Sequence, residues 1–163
     1  MPADGAEALA DAVGRALELR GLTIGTAESC TGGLLAGALT AIPGSSGYVK
    51  GGVVAYSNEV KQLLLGVQAG TLQRHGAVSE PTVREMAEGV CTRLGVSVGV
   101  GITGVAGPGG GTPEKPVGLV YIGVATPAAT RVRRDVWPGN RAEIRGASVR
   151  AALELVLSMV EDI

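Results

Sequence analysis

Phenylalanine is absent from this 163-residue chain, which also has only three tyrosines, one tryptophan, one histidine and two cysteines. Each scarcity excludes something. So few rings offer no stacking platform for single-stranded nucleic acid, and a formal net charge of -1 leaves no basic footprint for DNA or an anionic membrane. One histidine and two scattered cysteines cannot build an ordinary zinc site, and no acidic cluster replaces them, so neither a metal nor another cofactor is expected. His75 lies in Gln73-Arg74-His75-Gly76-Ala77, read as a polar loop with no nucleophile beside it; a surface or capping role is expected, not a Ser-His-Asp triad. Cys30 and Cys91 are far apart and form no disulfide framework, so free thiols are expected. No apolar run approaches the roughly 20 residues of a membrane span. Asp4, Glu7 and Asp11 stand where a signal peptide needs a basic flank. A cytoplasmic protein without membrane or nucleic-acid partners is expected.

What is present is aliphatic: 45% of the residues are hydrophobic and 18% charged, the balance of a packed globular chain. Residues 1–163 read as one domain, able to bury roughly two thirds of its unfolded surface. Leu9, Val13, Ala16 and Leu17 recur at helical spacing within a helix predicted over 5–20, which Gly21 can end. A strand over 22–27 leads into a helix over 30–41, stopped at Pro43-Gly44. A second strand, over 48–56, carries Gly51-Gly52, a signal of a bulge or close backbone approach, and a short helix follows to about Leu65. Ser79-Glu80-Pro81-Thr82 opens a packing helix with Val83, Met86, Ala87, Val90 and Leu94 on one stripe before Gly95. Strands are predicted over 96–103, 117–125 and 131–136, the last two forming a hairpin around Pro127 and Ala128. Asn140-Arg141-Ala142-Glu143 reads as a capping box for a helix to about residue 160. Helices alternating with buried strands, plus one hairpin, predict an α/β three-layer sandwich with helices on both faces of a mixed β-sheet.

Ala27-Glu28-Ser29-Cys30-Thr31-Gly32-Gly33 carries the chemistry. It follows the strand and places the Ser29 hydroxyl at the expected start of a glycine-opened helix, where unpaired first-turn amides and the helix dipole favour negative charge. The first-turn amides around Cys30, Thr31, Gly32 and Gly33 would hold an oxyanion. In Tyr56-Ser57-Asn58-Glu59-Val60-Lys61 the geometry recurs, with Asn58 as N-cap and Lys61 in the first turn. A lysine held there, or buried, is pushed toward its neutral form and can act as a base. A hydroxyl without histidine needs another base, and lysine is a known substitute. Other readings stay open: Ser29 as a simple cap, Lys61 as a solvated residue, and Cys30 as a rival nucleophile or a small buried hydrophobe.

Gly99-Val100-Gly101-Ile102-Thr103-Gly104 satisfies G-x-G-x-x-G, yet Val105-Ala106-Gly107-Pro108-Gly109 cannot open a helix, so the dinucleotide reading fails on context. The glycine-rich stretch to Thr112 is either a backbone cradle for a phosphate or sugar, or a flexible connection.

Five blocks in chain order resemble the CinA carboxy-terminal domain family. They are Thr26 to Gly33, Pro43 to Ser46, Gly51 to Asn58, Gly76 to Glu80, and Gly104 to Pro108 with Lys115 to Gly118. The resemblance covers about residues 5–160. It implies an amidohydrolase that converts nicotinamide mononucleotide to nicotinate mononucleotide and ammonia. It further implies Ser29 as nucleophile, Lys61 as base, Tyr56 and Ser46 close by, and Thr103 and Arg141 in substrate contacts. Arg141, at the start of the last helix, suits the ligand phosphate. Tyr56 either relays a proton or orients Lys61. Longer members carry an amino-terminal, metal-dependent nucleotide-hydrolysing domain, an activity not expected of these residues. A non-catalytic nucleotide-binding module and a competence or damage accessory role are the rival classes, and self-association into a homo-oligomer is expected.

Overall fold

In the computed structural model the apolar stripe of the first helix forms as its spacing predicts: α1 (Ala6–Arg20) buries Val13, Ala16 and Leu17 and ends where Gly21 takes a left-handed φ of 63°. The structure describes residues 5–163; the acidic flank read at Asp4 lies outside the described residues. After α1 come β1 (Ile24–Glu28), α2 (Leu34–Thr40), a 3₁₀ turn (Ser45–Gly47), β2 (Val49–Val54), α3 (Asn58–Leu65), α4 (Ala69–His75) and α5 (Glu80–Leu94). The chain closes with β3 (Val98–Gly104), β4 (Leu119–Ala125), β5 (Thr130–Val136) and α6 (Arg141–Glu161).

The strands form one five-stranded sheet in the order β2-β1-β3-β4-β5. β1 runs parallel to β2 and β3, while β3–β4 and β4–β5 are antiparallel. The register between β1 and β2 slips after Ile24↔Val49, so that Gly25 meets Gly51: an irregularity where the sequence placed glycines. The sheet is therefore mixed, and side-chain alternation divides its two faces. On one, Ile24, Val98, Val100 and Ile102 pack with Val13 and Leu17 of α1, Leu35 and Leu39 of α2, and Leu153 and Val156 of α6. On the other, Ala27 packs with Leu65, Met86 and Val90. That is the three-layer arrangement.

The glycine repeat of β3 serves packing. A Cβ on Gly99 would stand 2.2 Å from the Ala87 carbonyl, and one on Gly101 would stand 2.9 Å from that of Val83, so α5 lies almost on the bare backbone. Gly123 of β4, paired with Gly101, continues the bare strip under the same helix.

One helix was not legible. Residues 73–75, read as polar loop, finish α4, with His75 exposed at its last position. Its first turn is held from another element: the Glu85 carboxylate of α5 accepts from the Gln68 amide at 2.8 Å and the Thr71 hydroxyl at 2.6 Å. A cap supplied from a distance leaves no local sequence signal. Among the described residues no helix is long and apolar enough to cross a membrane, and Cys30 and Cys91 are free thiols.

Candidate active site

Ser29 follows the last residue of β1, and its backbone N–H donates to the Ile102 carbonyl at 2.9 Å, fixing the chain beside β3. Strand alternation sends Glu28 toward α2 and Ser29 toward α3. On α3, the N-cap is Ser57, whose hydroxyl accepts from the Val60 amide; Asn58, expected as the cap, is instead the first helical residue. The correction shifts the helix start by one residue and leaves Lys61 one turn inside it, pointing back across the cleft.

Lys61 is 1% exposed. Its Nζ lies 3.1 Å from Ser29 Oγ and donates to the carbonyls of Ala55 at 3.0 Å and Tyr56 at 3.3 Å. Burial lowers its pKa from the ordinary lysine value, with nearby Cys30 working the other way. Nζ thus faces three oxygens; a neutral amine would give its two hydrogens to the two carbonyls and leave its lone pair for the Ser29 hydroxyl. Burial also pushes the Cys30 thiol up to about 11, mainly through desolvation. At neutral pH that group is a thiol, not a thiolate, which removes its advantage as a nucleophile.

Ser29, Cys30, Tyr56, Lys61, Thr103 and Arg141 share a cleft of about 230 Å³, together with Asn58, Ala77 and Val78. Thr103 is buried at the floor and donates to the Ala77 carbonyl at 2.9 Å, tying down the loop that forms the opposite wall. Tyr56 is 64% exposed, and its hydroxyl accepts from Arg141 at 3.3 Å, while only its carbonyl meets Lys61. Arg141 also donates to the Gly107 carbonyl at 2.8 Å. It is the first residue of α6, behind the capping box of Asn140 and Glu143, so one guanidinium links the glycine-rich loop, Tyr56 and a helix N-terminus. A larger apolar groove of about 450 Å³ between α1, α2 and α6 holds none of Ser29, Tyr56 or Lys61.

Of the residues expected at the site, Ser46, Gly32 and Gly33 lie outside the cleft, and Thr31 turns its side chain away from it. Ser46 is exposed in the 3₁₀ turn before β2, whereas Ser29 follows β1; the two strands are parallel, so the length of β2, roughly 17 Å, separates their ends. Helix α2 begins at Leu34, not at residue 30. A turn with positive φ at Gly32 and Gly33 comes first, and the helix's amides at Leu35 and Ala36 donate to the Glu28 carboxylate at 2.9 and 3.0 Å. The positive end of the helix is thus occupied by a carboxylate. Thr31 is fully buried and donates to the same group at 2.6 Å. Gly32 faces Arg145, which donates to the carbonyls of Cys30 at 3.0 Å and Thr31 at 3.3 Å. Gly33 borders the apolar groove. Among the described residues, no other residue accepts the amides of Cys30 or Thr31.

Glu28 and Arg145 are the residues that sequence reading passed over. A carboxylate ending an apolar strand was the available signal for Glu28, since such a group must find donors inside the protein. Arg145 carried none, because its partners lie more than a hundred residues away.

The chain matches the CinA C-terminal domain over residues 6–160. It is 57% identical over 136 residues to a CinA-like protein of Gemmatimonas aurantiaca, covering 83% of this chain and 32% of that relative. The chain thus spans about a third of the curated relative it matches. Among solved structures, it superposes on a competence/damage inducible protein from Agrobacterium tumefaciens with a TM-score of 0.95 at 43% identity, covering 98% of both chains. A CinA superfamily protein from Klebsiella pneumoniae gives a TM-score of 0.94 at 36% identity, covering 98% of this chain and 100% of the other. With a family match across nearly every described residue, the chain belongs to the CinA C-terminal domain family.

Proposed function

We propose that this protein hydrolyses the carboxamide of nicotinamide mononucleotide by serine-lysine acyl transfer, releasing ammonia and nicotinate mononucleotide. The observation that carries the reading is the 3.1 Å approach of a buried Lys61 amine to Ser29 Oγ. Neutral Lys61 takes the hydroxyl proton as Ser29 attacks the carboxamide carbon. The protonated amine then returns that proton to the departing nitrogen, and ammonia leaves an acyl-serine. Water, deprotonated by Lys61, attacks the ester and frees the acid and the serine. The Cys30 and Thr31 amides supply the oxyanion contacts, replacing the helix amides that Glu28 occupies. One well-placed donor of this kind is worth about 3 kcal/mol. Arg141, beside the glycine-rich loop, supplies the cation for the nucleotide's phosphate, and its hold on Tyr56 keeps that ring at the mouth of the cleft.

The substrate, and the absence of any nucleic-acid or membrane partner, belong to this proposal. Support comes from family membership, a cleft of small-molecule size and a formal net charge of -1. The test is ammonia release from the mononucleotide by purified wild type, Ser29→Ala and Cys30→Ala. The reading requires loss of activity in the serine variant and its retention in the cysteine variant. Tight mononucleotide binding without turnover by the wild type would make the domain a ligand-binding module instead.

A further inference from the structure

We propose that Glu28 is a positioning residue for the nucleophile: its buried carboxylate ties the turn 29–33 to the start of α2 and so fixes Ser29 and the backbone amides beside it. The inference deepens the acyl-transfer reading and names a group that the mechanism does not otherwise use. Glu28 is 1% exposed, and among the described residues no cation pairs with it. Its charge is instead met by three donors. Oε1 accepts from the Thr31 hydroxyl at 2.6 Å and the Leu35 amide at 2.9 Å, and Oε2 accepts from the Ala36 amide at 3.0 Å.

A buried carboxylate is unfavourable unless fully hydrogen-bonded, and here the positive end of α2 adds to the compensation. The geometry says what this achieves. Ser29 is covalently next to Glu28, and Thr31 closes the loop back onto the same carboxylate, so the nucleophile is enclosed in a short ring of bonds. From the other side Arg145 holds the carbonyls of Cys30 and Thr31. In a trans peptide the N–H points opposite its C=O, so a carbonyl drawn to Arg145 turns the Thr31 amide away from that arginine.

Glutamine cannot replace this group. With its oxygen at the Oε1 position, its NH₂ faces the Ala36 N–H, donor against donor.

The test reads Ser29 reactivity directly, with a fluorophosphonate: Oγ displaces fluoride from phosphorus and Lys61 takes the proton. Wild type, Glu28→Gln, Thr31→Val and Leu39→Ala are compared, with thermal unfolding measured on each. Leu39 is buried in α2 away from the turn, so its truncation destabilises without touching the ring. The expected result is labelling slowed about a hundredfold in Glu28→Gln, the scale of a small misplacement of a reacting atom. Thr31→Val, which removes one of the three bonds, slows it less, and Leu39→Ala lowers the melting temperature with labelling unchanged. In mononucleotide hydrolysis, Glu28→Gln lowers kcat while KM stays within about twofold. Labelling of Glu28→Gln at the wild-type rate, or equal slowing in Leu39→Ala, overturns the proposal. Should Glu28→Gln not fold, unchanged labelling of Thr31→Val overturns it. Wild type that labels at Ser29 yet releases no ammonia sinks the substrate assignment and leaves Glu28 standing; wild type that does not label sinks both.

Discussion

Replacing Lys61 with methionine separates its chemistry from its packing, because the two respond differently to pH. Burial lowers the folded pKa of Lys61 below its unfolded value. Between those two values the unfolded chain binds one more proton than the folded chain. This group therefore makes wild-type stability rise with pH, at about 1.4 kcal/mol per pH unit. Below the folded pKa the penalty is complete, and above the ordinary lysine value, about 10.4, it vanishes. Methionine carries no such penalty but abandons the carbonyls of Ala55 and Tyr56 and the Ser29 hydroxyl. Three lost hydrogen bonds amount to about 3 kcal/mol. The wild type is therefore more stable by about that amount near pH 10.5, and its advantage shrinks by about 1.4 kcal/mol for each pH unit below that, until the folded pKa is reached. Urea unfolding of both proteins from about pH 7 to 10.5 gives the difference curve, in which titrations common to both cancel. Activity moves separately: Lys61→Met loses at least about a thousandfold in kcat at every pH, since among the described residues no other base lines the cleft beside Ser29. A stability difference that is flat, or that widens in favour of the wild type as pH falls, would refute the buried neutral amine.

Wild-type kcat/KM rises with pH along a single acid limb whose midpoint lies below the ordinary lysine value, because the free enzyme must hold Lys61 neutral; a rate profile with no such limb counts against it. Cys30→Ala keeps kcat within about fivefold, and iodoacetamide alkylates wild-type Cys30 slowly at neutral pH, as expected of a thiol raised to about 11. Arg141→Ala frees both the Gly107 loop and Tyr56, raising KM at least about tenfold with a smaller change in kcat, measured by steady-state hydrolysis. Gly99→Ala drives a methyl into the Ala87 carbonyl and lowers unfolding free energy by about 3 kcal/mol in urea titration.

The elements that the sequence disclosed are those with local causes. α5 carries its own Ser79 cap, its apolar stripe and its terminal Gly95, and α6 carries a reciprocal capping box, so both were legible almost to the residue. The mixed sheet followed from the alternation of helices and strands and from the closing hairpin, which are local signals too. What stayed hidden depended on groups far apart in the chain. The cap of α4 comes from Glu85, the start of α2 is set by Glu28, and the turn after Ser29 is gripped by Arg145. The glycines of β3 were visible, but their purpose needed α5 above them. The Ser29–Lys61 pairing was inferred from chemistry, two side chains whose types complete each other, while family resemblance alone brought Ser46 near a site from which the parallel strand separates it.

The most direct measurement is intact and peptide mass spectrometry of the protein quenched in acid during turnover of nicotinamide mononucleotide. The account predicts an adduct with the mass of the nicotinate mononucleotide acyl group on the Ser29 peptide, dependent on Lys61. An acyl group on Cys30, or ammonia released at full rate by Ser29→Ala with no adduct, would contradict it.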